Sequence, residues 1–273
     1  MTKRVSITTI QVSTAVVIAL AWEIIGRSSN DIFFVLGSPS AILTEFWKLL
    51  IHEELLFHCY ITGSEALVGL LIGTVVGSSI GLSLWYSDTV AKVSKPFVIA
   101  VGTLPVFAFA PLMIVWFGIG FKMKVAMAAF STVFVAFNLS RRGASSVAQG
   151  YIDVLRGMDA TRRQIFRKVV LPSAMESVLA SMRLNVGFAL LGAFIGEFIS
   201  SQHGLGYVVL RAAGLYNVPR AFAAAIGITA LALTLDGMGA LVEHYRFKLV
   251  QWITVPNELW SSSRRTKSRD SNR

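Results

Sequence analysis

Long apolar runs alternate with short polar connections along this 273-residue chain. Six runs approach the roughly 20 residues a helix needs to cross a bilayer: about 8 to 26, 63 to 86, 97 to 119, 122 to 140, 176 to 200 and 219 to 243. Backbone groups in lipid must bond within their own segment, and no ten-residue alternating pattern suggests a barrel, so the runs are predicted to be helices. The predicted fold class is an all-α membrane protein with six transmembrane helices.

The connections carry pattern of their own. Gly37-Ser38-Pro39-Ser40 reads as a helix start, and the apolar residues at 42, 43, 46, 47, 49 and 50 predict an amphipathic helix along the outer interface. The second span repeats glycine at 69, 73, 77 and 81, a stripe without side chains. It is predicted to be an internal packing seam, with a dimer face as the other reading. Pro105 and Pro111 interrupt the third span, because proline withholds an N–H and crowds the preceding turn. A kinked or broken helix is expected there, and in transporters such breaks tend to line a cavity.

Composition agrees with burial in lipid: 54% of residues are hydrophobic and the mean hydropathy is +0.64. With the N-terminus inside, 18 of the 25 Lys and Arg residues fall in cytoplasmic segments. Both termini are therefore expected on the cytoplasmic side. The net charge of +10 then reflects a basic face beside anionic lipid rather than nucleic-acid binding. No small-residue cleavage site follows the first helix, so the N-terminus is expected to be retained. The single Cys59 has no disulfide partner within the chain, and His52, His58, His203 and His244 show no metal-ligand spacing.

Charged groups at membrane depth are candidates for function. Glu23, Glu65, Arg183, Glu197 and Asp236 qualify, with packing roles expected for Glu23 and Asp236. Arg183 and Glu197 share a helix face about 21 Å apart, too far to pair. Arg183 either faces a central cavity, where it attracts an anion, or reaches back to cytoplasmic water.

The segment from Asp153 to Pro172 is unusual for so apolar a chain. A helix over about 153 to 167 is expected to expose Leu155, Ile165 and Phe166 beside Arg156, Arg162, Arg163, Arg167 and Lys168. Apolar knobs in a charged rim suit a groove on another protein, a membrane-surface helix being the other reading.

In register, this segment resembles the coupling motif of permeases of binding-protein-dependent ATP-binding-cassette (ABC) importers, a Glu-Ala-Ala run, then Gly, then Ile-x-Leu-Pro. Here Asp153-Val154-Leu155, Asp159-Ala160 and Val169-Val170-Leu171-Pro172 take those places. Trp22-Glu23, Gly37 to Ser40, Ala110 to Gly120 and Gly204-Leu205-Gly206 resemble the nitrate, taurine and alkanesulfonate branch, and the likeness covers roughly residues 20 to 250.

The resemblance implies a type I importer permease domain over 1–255 and a basic cytoplasmic tail over 256–273, in a bacterial cytoplasmic membrane. It makes the segment between spans four and five a cytoplasmic coupling helix, with Asp153, Leu155, Arg156, Asp159, Ala160, Ile165, Phe166, Leu171 and Pro172 as ATPase-coupling residues. Pro105, Pro111, Arg183 and Glu197 are candidates for the translocation path. Implied partners are a second permease copy, two ATPase subunits and an extracytoplasmic solute-binding protein. The chain contains no Gly-x-x-x-x-Gly-Lys-[Ser/Thr], so ATP and Mg are expected on the partner ATPase, with no cofactor here. The solute is expected to be a small anion such as a sulfonate, nitrate or taurine, with a neutral or cationic heterocycle as the alternative. An intramembrane enzyme lacks its Gly-x-Ser-x-Gly elbow, and an ion-coupled transporter lacks its repeated halves.

Overall fold

Apolar length and helix breakers set the elements. The computed structural model describes residues 7–52 and 54–254, which form helices and turns with no strand among them. In chain order these are α1 (Ile7–Gly26), α2 (Asn30–Leu36), α3 (Pro39–His52), α4 (Leu55–Ser83), α5 (Asp88–Gly102), α6 (Ala110–Phe117), α7 (Phe121–Ser145), α8 (Gln149–Gly157), α9 (Arg162–Ile165), α10 (Leu171–Ile199), α11 (Leu205–Gly214) and α12 (Val218–Thr254). The basic tail expected over 256–273 lies outside the described residues.

Among the described residues five helices are long and apolar enough to cross a membrane, and α2 with α3, bent by 53°, passes the same test of length and composition. The third expected span is the bent pair of α5 and the segment 106–117 that ends in α6, which meet at 87°. Pro105 stands at that break with an extended ψ of 126°. Pro111 plays a different part. It occupies the first turn of α6, where a missing N–H leaves no intrahelical bond unmade. The second span begins at Leu55, eight residues before the hydropathy run, where tertiary contacts bury Leu55 and Thr62 and partly cover His58.

The core is a trio of α4, α7 and α10, joined through small residues. A Cβ on Gly69 would lie 2.3 Å from the Ala128 Cβ, on Gly77 2.2 Å from the Val133 carbonyl oxygen, and on Gly81 2.3 Å from the Ser140 hydroxyl. The glycine stripe is thus an internal seam against α7. On the adjacent face of α7, Gly192 of α10 lies against Ala128 and Ser131. Such close backbones maximise dispersion contact where lipid supplies no hydrophobic drive.

A second layer covers one end of the trio. Ile42 and Leu49 of α3 pack with Leu55, Leu205, Val208, Ala223 and Ala224, while Leu43 and Trp47 point away. The predicted helix start at Ser38-Pro39 is present, and the Glu23 carboxylate of α1 accepts from the Ser40 N–H (3.0 Å) and hydroxyl (2.7 Å). Glu23 is therefore a packing group, as expected.

Candidate functional site

At the opposite end from α3, the chain between α7 and α10 folds into a hairpin rather than one helix over 153–167. α8 stops at Gly157, Asp159 takes a left-handed φ of 57°, and Thr161 opens α9 through a capping box with Gln164. Asp tolerates that conformation better than most side chains, so it serves where glycine is usual in the resembled motif. A π-helical turn, Phe166–Val170, then leads into α10. Pro172 explains the widened turn, since it has no N–H to give Lys168 and its ring crowds that carbonyl.

The side chains turn opposite to expectation. Ile165 is 2% exposed, and it packs with Ile152, Val170 and Ala174, while Leu155 and Phe166 are only partly exposed against the same cluster. Phe166 also meets Trp85 and Tyr86 at 5.6 and 4.9 Å between ring centroids. These three residues anchor the hairpin and do not form its exposed knobs. The exposed large apolar residues of the hairpin are Tyr151 (69%) and Val154 (65%) on the outer face of α8 and Met158 (73%) at its C-cap. Their i, i+3, i+7 spacing was readable in the sequence, but only with the helix placed at 149–157 rather than 153–167.

Polar partners complete the hairpin. Asp153 accepts from Gln149 (3.0 Å) and pairs with Arg156 (3.4 Å) on its own helix. Arg162 donates to the Tyr86 carbonyl (3.1 Å), tying α9 to the turn after α4. Between these elements lies a cleft of about 560 Å³ whose lining includes Arg141, Arg156 and Arg162. Ala160 is partly exposed, Leu171 likewise, and Pro172 and Asp159 are exposed.

The candidate path residues separate. Glu197 is fully buried within the single chain. It accepts from the Thr62 hydroxyl (2.7 Å) and from the Gly206 N–H (2.7 Å), while Thr62 accepts from the Leu205 N–H (2.9 Å) and His58 Nδ1 from the Gly204 N–H (2.9 Å). A carboxylate at the N-terminus of α11 satisfies donors that a helix leaves open. Nearby, Lys124 and Glu65 form a buried ion pair at 2.8 Å. Neither the Lys124 partner nor the clamp on α11 was visible in the sequence, because α7 and α11 reach these carboxylates only after folding.

Arg183 meets a different partner. Its Nε and Nη2 donate to the two carboxylate oxygens of Asp236 at 3.0 and 3.2 Å, bridging α10 and α12. Asp236 is thus an interhelix partner, as expected. Pro105 and Pro111 are exposed on the single chain.

Known proteins carry the same organisation. The family described as the binding-protein-dependent transport system inner membrane component matches residues 69–246. A Halalkalibacterium halodurans protein named formylaminopyrimidine transport permease ThiX is 31% identical over 74% of this chain and 80% of its own length. A Bacillus subtilis protein named for aliphatic sulfonates transport, the permease SsuC, is 29% identical over 87% of this chain and 85% of its own. An inward-facing structure of the MetNI methionine ABC transporter shares the fold at 18% identity, with a TM-score of 0.62 over 69% of this chain and 94% of that one.

Proposed function

The chain belongs to the family of binding-protein-dependent transport system inner membrane components and is a multi-pass ABC importer permease rather than an enzyme, and on that premise we propose its solute, partners and working parts. The solute is a small anion of the sulfonate, nitrate or taurine kind, handed over by an extracytoplasmic binding protein. That reading draws on the likeness to a relative named for aliphatic sulfonates. The relative named for formylaminopyrimidine favours the second reading, a heterocyclic solute.

Two copies of the chain enclose the path, and two ATPase subunits carrying ATP and Mg engage the hairpin between α7 and α10. Both termini then lie in the cytoplasm, as the distribution of Lys and Arg favours. The permease domain runs over 1–255, and 256–273 is its basic cytoplasmic tail.

One observation carries the coupling role: Tyr151, Val154 and Met158 project from a short helix whose other face is anchored by Ile152 and Ile165. An exposed apolar knob with a rigid base suits a partner groove, and the arginine rim adds charge complementarity. Closure of the ATPases moves this knob, and the π-helical turn passes the motion to α10. Asp153, Arg156, Asp159 and Ala160 shape the knob, while Leu155, Ile165, Phe166, Leu171 and Pro172 fix its base.

Copurification tests the assignment. Val154→Glu with Met158→Glu buries two charges at the contact and is expected to lose the ATPase from the purified complex while the permease still folds. Retention of the ATPase in that double variant would overturn the docking assignment.

A further inference from the structure

We propose that Arg183 is an anion-contact site of the translocation path, shielded by Asp236 and exchanged from that carboxylate onto the oxyanion of the solute during passage. The inference rests on the importer reading above and assigns a contact within the path. Its geometry begins with depth. Arg183 stands 12 residues after the start of α10 and 16 before its end, roughly 18 and 24 Å along the axis. Counted from the apolar run that begins near 176, the guanidinium lies about seven residues, roughly 10 Å, inside the span from its cytoplasmic end.

Charges at that depth do not face acyl chains. Yet the Arg183 and Asp236 side chains are 47% and 44% exposed in the single chain. Their open side therefore meets water in a cavity or the face of another subunit. The Lys124–Glu65 pair shows the contrast, with side chains 8% and 1% exposed. The Arg183 pair, by contrast, is left accessible.

Small residues flank Arg183 along its own helix. Gly187 lies one turn further along α10 with nothing within 4 Å of a Cβ placed on it, and exposed Ala180 lies one turn back. Chemistry selects the ligand class. Asp236 presents two oxygens to the guanidinium fork, and a sulfonate or carboxylate presents two oxygens in the same way. Exchange keeps the arginine paired at every stage, so the cation is never bare at membrane depth and the solute is not trapped by it.

Titration of ethanesulfonate into the purified complete importer in nanodiscs, without binding protein, tests the exchange. Asp236→Asn removes the competitor and is expected to tighten ethanesulfonate binding at least tenfold over wild type. Arg183→Gln is expected to abolish it, and Arg183→Lys, which keeps the charge but loses the fork, to weaken it. A merely structural pair would make both neutralisations lower the melting temperature alike without moving anion affinity in opposite directions. Unchanged affinity in Asp236→Asn, or retained binding in both Arg183 variants, would overturn the proposal. A wild-type preparation that copurifies no ATPase would overturn the importer assembly, and this exchange with it, before any anion is added.

Discussion

Gly204 occupies a position that no other residue fits. Its φ of +105° is one that side chains rarely adopt, and a Cβ there would lie 2.1 Å from the Glu197 carboxylate. Glycine at Gly204 and Gly206 lets the backbone donate to His58 and Glu197 at close range. Gly204→Ala is expected to cost about 2 kcal/mol or more, combining backbone strain with buried acceptors left short of donors. Thermal unfolding of the purified permease reads the loss, and faster amide exchange confined to 205–214 localises it; an unchanged melting temperature would contradict the clamp. The Gly204-Leu205-Gly206 motif was visible in the sequence, but its reason was not. The carboxylate that requires it comes from α10, and a charge in an apolar run does not announce which neighbour will cap it.

At the scale of elements, the α4 seam shows periodicity succeeding. Four glycines at intervals of four place one bare stripe on a helix, and the stripe meets α7. A Cβ on Gly73 would fall 1.9 Å from the Thr132 hydroxyl and 2.5 Å from the Ala129 carbonyl oxygen, the second of which is backbone and cannot turn aside. Gly73→Leu is therefore expected to destabilise the bundle by more than the roughly 1–3 kcal/mol typical of an overfilled core. Loss of folded permease on size exclusion would show this, while a wild-type elution and melting profile would argue against the seam. The hairpin shows where periodicity fails. One helix over 153–167 was expected from the run of polar and apolar residues, yet Gly157 and the Thr161-Arg-Arg-Gln164 capping box already divided it. Missing that division shifted the exposed face from Val154 and Met158 onto Leu155 and Phe166. The third span was read correctly as broken, though only Pro105 breaks it.

For the whole molecule, hydropathy made the all-helical class and the order of the long spans legible because lipid imposes length and backbone closure on each segment. Interactions between spans were not legible, since the α10 to α12 pair Arg183–Asp236 and the α4 to α7 pair Glu65–Lys124 join residues 53 and 59 positions apart. One chain also leaves Val115, Trp116 and Ile119 of the α6 region 63–78% exposed, a face suited to the second copy that the proposed assembly requires. The central claim is mechanical: ATPase motion enters through α8. Its most direct measurement is cysteine cross-linking from Met158→Cys in a Cys59→Ser background, where no other thiol remains on this chain. The account predicts a cross-link between position 158 and the ATPase subunit that changes in yield when ATP is added, and none from Val170→Cys in the buried base. A cross-link from position 170 with none from 158, or a yield at 158 indifferent to ATP, would contradict it.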